Sequence, residues 1–191
     1  MKPSNLAHVL VAATICVALA ATPFNRSIAA IPSNHELASI ETADQADRTP
    51  GPNKIDWNVV GKRDAFRRAQ VMQLLMAGDI RTADDYYNAA LIFQHGESVQ
   101  DIQLALAFAT TAVRMTPSNR DAQILMAQAW DRILVKSGKP QWYGTQYQRS
   151  KITGKWELCP TDPTAVSEAQ RKAIGLPTMA EAMAHLAEIN K

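Results

Sequence analysis

The sequence predicts an all-α fold, and three observations support that prediction. Aromatic residues make up only 6% of the 191-residue chain, whereas Ala, Leu, Gln and Met, which favour helix over strand, are plentiful. Several apolar runs are preceded by a Ser or Thr with an acid or amide three residues later, which is the pattern of a helix N-cap. Within the runs, apolar residues recur every three or four positions, as one face of a helix requires.

The length fits one domain preceded by a leader. Lys2 is followed by an apolar stretch over 6–21 without Asp, Glu, Lys or Arg, and then by small residues, which is the order of a secretory signal. Two small-x-small triplets, 18–20 and 27–29, fit a cleavage site, and the choice stays open. We therefore interpret residues 1–30 as a signal peptide or N-terminal anchor. The signal is favoured, because the apolar stretch is shorter than the roughly 20 residues that span a bilayer.

Export, with a periplasmic location, follows from this interpretation, and any membrane contact is expected only through an uncleaved N-terminal segment. Cleavage would remove Cys16 and leave Cys159 as the only thiol, which excludes an intrachain disulfide. We expect Cys159, between Leu158 and Pro160, to be a buried small apolar residue rather than a thiol that pairs with another chain. The formal net charge of +2 gives no basic footprint of a nucleic-acid binder.

Residues 31–55 are interpreted as a flexible linker, and 56–191 as the helical domain. The linker is rich in Ser, Asn, Thr, Asp and Pro, has no apolar period, and contains Thr49-Pro50-Gly51-Pro52 near its end. Five N-cap pairs follow in the helical domain: Thr82 with Asp85, Ser98 with Asp101, Ser118 with Asp121, Ser167 with Gln170, and Thr178 with Glu181. The helices are predicted at 58–77, 83–95, 99–115, 119–137, 167–174 and 179–189.

The packing of these helices is predicted from their apolar faces. Helix 83–95 is apolar nearly all round and should lie in the middle. Helices 99–115 and 119–137 should form an antiparallel hairpin, with Pro117 in the turn and with Ala105, Ala109 and Ala112 allowing close approach. This resembles one tetratricopeptide unit, without a second copy along the chain. The full prediction is of tetratricopeptide-like antiparallel helical hairpins, with one long aromatic-rich loop before two short C-terminal helices.

The long loop, 138–163, is expected to be the working surface. It contains Trp142, Tyr143, Tyr147 and Trp156. Connections of this length are usually functional or disordered, and four large aromatic side chains argue against disorder because they have apolar surface to bury.

Three groups of polar residues are candidates for chemistry. Gln94 and His95 end helix 83–95, where the imidazole either caps the helix, which is favoured, or makes a functional contact. Gln128, Asp131 and Arg132 lie on adjacent edges of one helix. An ion pair that holds the loop is favoured there over a substrate-binding role.

The third group is Q-W-Y-G-T-Q, residues 141–146, in which Gly144 permits a tight turn. The side chains of Gln141, Tyr143, Thr145 and Gln146 offer donors and acceptors without charge. They suit either hydrogen bonds that attach the loop to the helices, which is favoured, or a pocket for a neutral polar ligand such as a sugar or peptide. The sequence has no nucleophile elbow, phosphate loop, His-x-x-x-His or Cys-x-x-Cys pair, so we expect neither a metal nor a cofactor.

Three motifs are similar to a known family. They are D-Y-Y-N-A-A-L-I-F-Q-H-G at 85–96, A-W-D-R at 129–132 and P-Q-W-Y-G-T-Q at 140–146. In these motifs, and in the closing L-P-T-M-A-E-A, the chain resembles bacterial domain of unknown function 6624 over roughly 64–190. The resemblance implies a helical domain marked by these polar positions, and it implies no known activity.

Two functions are consistent with these observations. The preferred hypothesis is an exported helical binding or scaffolding domain, in which a partner protein or small polar ligand contacts the 138–163 loop near His95, Asp131 and Arg132. The alternative is a hydrolase-like enzyme with His95 as general base, assisted by Asp131 or Tyr143.

Overall fold

A computed structural model of the chain describes residues 31–51 and 54–191, so the predicted leader and Cys16 lie outside the described residues. Seven helices and one two-stranded antiparallel sheet form this part of the chain. The all-α class is therefore confirmed, with a short β-hairpin as the exception. In chain order the elements are α1 His35–Ala46, α2 Trp57–Met76, α3 Ala83–Gln94, α4 Val99–Met115, α5 Arg120–Lys136, β1 Tyr147–Arg149, β2 Trp156–Leu158, α6 Glu168–Ala173 and α7 Met179–Ile189.

The six predicted helices are present, and each begins and ends within one residue of its predicted bounds. Four of the five predicted N-cap pairs form, on α3, α4, α6 and α7. The prediction of Ser118 as the cap of α5 is wrong, because Asn119 takes that position and its Oδ1 accepts from the Ala122 N–H at 3.0 Å. Asn is as good a cap as Ser and here stands one residue nearer the helix.

Helix α1 corrects the prediction of a flexible linker over 31–55. The Asn34 side chain caps it, and Leu37 and Ile40 are buried against the core. Only these two positions on its inner face are large and apolar. The next inward position is Asp44, which is fully buried. Because a polar residue occupies this inward position, the segment lacks the repeating apolar pattern by which a helix is predicted from sequence.

Helix α3 lies in the middle of the packing, as predicted, with α1, α2, α4 and α5 around it. Ile92 and Phe93 of α3 are buried, and the Phe93 ring packs edge-on against Phe108 of α4 at 5.5 Å between centroids. Short turns join α3 to α4 and α4 to α5, and the two helices of each pair pack against each other. The small residues Ala105 and Ala109 are fully buried and let the helices approach closely.

The 138–163 loop is ordered around the hairpin of β1 and β2, in which Tyr147 is opposite Leu158. The hairpin is attached to α7 by the Asn190 side chain, which accepts from the Trp156 N–H at 2.8 Å and donates to the Trp156 carbonyl at 2.8 Å. None of the described helices is both long and apolar enough to span a membrane.

Candidate functional site

The carboxylate of Asp131 holds the first half of the long loop. Asp131 is fully buried on α5. It accepts from the backbone N–H groups of Trp142 at 2.8 Å, Tyr143 at 2.9 Å and Thr145 at 3.0 Å, and from the Thr145 hydroxyl at 2.9 Å. The predicted ion pair with Arg132 is wrong, since no described cation lies within ion-pair distance of this carboxylate. The loop is held by backbone donors, which turn toward Asp131 as a group.

The side chain of Gln141 holds parts of the loop to one another. It is fully buried, and its Nε2 donates to the carbonyls of Gln146 and Cys159, both at 3.0 Å. Its Oε1 accepts from the Gln146 N–H at 2.8 Å. Both polar atoms of this side chain are therefore engaged within the protein. These bonds join parts of the loop to one another, whereas the bonds to Asp131 attach the loop to α5.

Gln146 and Tyr143, two further candidates from the sequence, lie in different environments. Gln146 Nε2 donates to the Gln128 carbonyl at 3.3 Å. Tyr143 lines a small cavity of about 310 Å³ with Trp130 and other apolar groups, and burial, followed by the negative charge of Asp131, raises the pKa of the Tyr143 phenol.

Two further residues fit the loop closely against its surroundings. Gly144 has φ of +66°, and a Cβ on it would lie 2.5 Å from Cε of Met179. The Cys159 thiol is buried, as predicted, and burial raises its pKa.

His95 belongs to a different region. It is the C-cap of α3, and its Nδ1 lies 2.9 Å from Oδ2 of Asp44 on α1. That distance suits an ion pair, but the two atoms are not aligned as a hydrogen bond. The polar partner of His95 is thus Asp44, not Asp131 or Tyr143 as the hydrolase hypothesis proposed.

Asp44 is part of a buried charge cluster that the sequence analysis missed. Arg48 contacts Asp44 at 3.1 Å and Asp64 at 2.7 Å. Arg67 contacts Asp64 at 3.0 Å and also pairs with Asp47. Buried charges are retained when they are paired and hydrogen-bonded. The signal that could have revealed the cluster is the spacing of Leu37, Ile40 and Asp44, which fall on one helical face.

A groove of about 880 Å³ opens beside this cluster, between the end of α1, one face of α2, the turn after α3, and α5. Most of the charged side chains in its lining are basic, since five Lys or Arg residues and His95 oppose two carboxylates. The basic residues are Arg48, Lys62, Arg68, Arg132 and Lys136, and the acidic residues are Asp64 and Glu97.

Three of the five basic groups have no carboxylate partner among the described residues, namely Lys62, Arg132 and Lys136. Arg48 is neutralised by the buried cluster, and Arg68 lies 3.4 Å from Asp101. These three groups are the free positive charge of the groove.

Arg132 is half-buried, and its one hydrogen bond to a described group runs from Nη1 to the Gln94 carbonyl at 2.6 Å. Burial lowers the pKa of Arg132, yet a guanidinium stays charged in proteins. Lys136 donates to the Glu97 carbonyl at 2.7 Å. Both cations are held in place by backbone carbonyls and keep donors for a ligand.

The predicted site residues therefore divide into two groups. His95 and Arg132 line the groove, and Gln94 supports Arg132 from beside it. The second group lies in or under the loop and consists of Asp131, Gln141, Tyr143, Thr145 and Gln146.

Comparisons of the chain with protein-family models, with curated proteins and with solved structures return no match. In the part of the chain that the structure describes, no three His, Cys, Asp or Glu side chains are grouped to hold a metal ion.

Proposed function

We propose that this chain is a helical binding domain whose basic groove takes a small ligand bearing a phosphate-type anion. The observation that supports the proposal best is Arg132, a half-buried guanidinium in an open groove with one hydrogen bond to a described group and no described carboxylate partner. Guanidinium groups match phosphate and carboxylate oxygens through paired N–H donors. Lys62 and Lys136 add charge to the same groove.

The loop has a supporting role in this proposal. Asp131 and Arg132 are consecutive on α5, so their side chains leave the helix in different directions. Asp131 binds the loop on one side of α5. The bound loop in turn supports the segment of α5 from which Arg132 reaches the groove. The ligand contacts the groove, and the Gln141–Gln146 turn acts through α5.

The test is calorimetric titration of the purified protein with inorganic pyrophosphate. We expect binding that weakens as salt is raised, and we expect Arg132→Gln to weaken it at least about tenfold, because charge-assisted hydrogen bonds are lost. Arg114→Gln is the matched control, since Arg114 is exposed on α4 outside the groove. Absence of binding in the wild type, or equal losses in the two variants, would contradict the proposal.

A second candidate function, hydrolysis, is favoured by the contact between His95 and the buried Asp44. With Nδ1 next to the carboxylate, Nε2 is the ring nitrogen available to take a proton from water in the groove. We expect any hydrolysis of p-nitrophenyl phosphate to disappear in His95→Asn and to persist in His185→Asn, whose histidine lies on α7. Retained turnover in His95→Asn would remove this candidate.

Four further hypotheses stay proposals. Export to the periplasm is supported by the composition of residues 1–30 and is tested by fractionation with N-terminal sequencing. Tetratricopeptide-like packing is supported by consecutive helices that are joined by short turns and packed together through buried alanines, and an experimental structure tests it. Membership of the resembled family is supported by the three motifs alone.

A partner protein at the outer face of the loop is supported by Tyr147 and Trp156, each 37% exposed, and is tested by crosslinking in cells.

A further inference from the structure

One wall of the groove is formed by α2, with Trp57 at its start, Arg68 further along, and Asn58, Asp64 and Ala65 among the residues between them. Trp57, Gly61, Lys62 and Arg68 all line the groove. With a rise of 1.5 Å per residue, Lys62 lies about 7.5 Å and Arg68 about 16.5 Å along the helix axis from Trp57. A ligand lying along this wall would therefore meet an aromatic ring at one end and cations at the other.

Gly61 leaves a bare place in the same wall. It lies in the interior of α2, where Gly is less stable than Ala because it loses more conformational freedom on folding. A Cβ at Gly61 would have no described atom within 4 Å, so no close packing in the described structure requires Gly here. What the missing side chain does is keep the groove open one helical turn after Trp57.

Trp57 presents an exposed aromatic surface at this opening. The side chain is 55% exposed, although an indole is a large apolar group that folding would ordinarily bury. Planar rings stack on such a surface, and the stacking tolerates many ring types.

We propose that the groove binds an aromatic organic phosphate, such as a nucleoside diphosphate, with its ring on Trp57 over Gly61 and its phosphates among Lys62, Arg132 and Lys136. This inference rests on the proposed anion-binding function and adds the chemical class of the ligand. Three unneutralised cations suit a polyanion better than a single carboxylate. The volume of about 880 Å³ lies within the range of pockets for drug-sized ligands, and a diphosphate alone would leave most of it empty.

The experiment compares adenosine diphosphate with inorganic pyrophosphate by calorimetry, because the two share the diphosphate and differ in the nucleoside. We expect the nucleotide to bind more tightly than pyrophosphate. Trp57→Ala should weaken the nucleotide at least about fivefold and leave pyrophosphate unchanged. Phe66→Ala is the matched control, since Phe66 is an exposed aromatic on α2 outside the groove.

Gly61→Leu is a second variant, in which we do not expect a loss of affinity to result from misfolding. Leu is a better helix former than Gly, so the melting temperature should stay equal or rise, while the nucleotide loses affinity and pyrophosphate keeps it. If pyrophosphate binds but the nucleotide binds no more tightly, or if Trp57→Ala and Gly61→Leu leave nucleotide affinity unchanged, the inference fails and the anion site stands. If pyrophosphate does not bind at all, the anion-binding function fails, and this inference with it.

Discussion

Asp131 is a buried negative charge that is stabilised without a cation from the described residues. Three backbone N–H groups and one hydroxyl donate to its two oxygens. Hydrogen bonds to a charged acceptor are stronger than neutral ones. The side chain therefore has a structural role that its position next to Arg132 in the sequence does not reveal.

Asp131→Asn should destabilise the protein by about 2–4 kcal/mol. The amide keeps one acceptor oxygen and turns two donors toward N–H groups that need acceptors. Urea unfolding at pH 7 measures the change. Asp121→Asn, on the exposed first turn of the same helix, should cost less than about 1 kcal/mol. A loss in Asp131→Asn no larger than in this control would show that the loop does not depend on the carboxylate.

Among the elements, α1 differs most from its prediction, because it is an integral helix of the domain. Leu37 is completely buried, and Asp44 of α1 is a member of the charge cluster beside the groove. Leu37→Ala should lower the free energy of unfolding by about 2–4 kcal/mol. The exposed Glu36→Ala on the same helix is the control. If both variants unfold at the same urea concentration as the wild type, α1 contributes nothing to stability.

The β-hairpin is attached to α7 by a side chain that imitates a neighbouring strand. Asn190 offers Trp156 one acceptor and one donor at 2.8 Å each. In Asn190→Ala we expect faster amide hydrogen exchange over 147–158, with a change in global stability of about 1 kcal/mol. Glu188→Ala, at the same end of α7, is the control. Unchanged exchange in Asn190→Ala would show that the hairpin does not need this link.

The helices from α2 onward could be predicted because their signals are local. Caps such as Thr82 with Asp85, and the apolar faces between them, lie within a few residues of each other. The spacing of Leu37, Ile40 and Asp44 marks Asp44 as inward-facing, but its pairing with residues of α2 could not be predicted, because only the packing of α1 on the core brings those residues together. For the same reason the candidate site was only half predicted. His95 and Arg132 were identified, but their neighbours Trp57, Gly61 and Lys62 come from a distant helix.

At the scale of the whole molecule, acid should destabilise the fold partly through Asp85. Burial raises the pKa of this carboxyl, but N–H groups of Asn34, Arg81 and Thr82 donate to it and lower the pKa below its ordinary value of 3.8 overall. A depressed pKa in the folded state gives stability that is complete above the unfolded value and is lost as pH falls through the folded value.

Urea unfolding between pH 6 and pH 2.5 checks this expectation. The free energy of unfolding should fall on acidification below about pH 5, and Asp85→Asn should fall less steeply, by up to about 1.4 kcal/mol per pH unit for one proton. Asp84→Asn, at the exposed neighbouring position, should keep the wild-type slope. An identical slope in Asp85→Asn and the wild type would show that this carboxyl does not set the acid limit.

The bonds between Asp131 and the loop also bear on how the chain folds. They join residues only 11 to 14 positions apart, so closing that loop loses little chain entropy. Contacts of such short sequence separation favour fast folding. We therefore expect the segment from α5 through Gln146 to fold early around Asp131. Helix α1, which is distant in sequence, would pack on the core later and complete the groove.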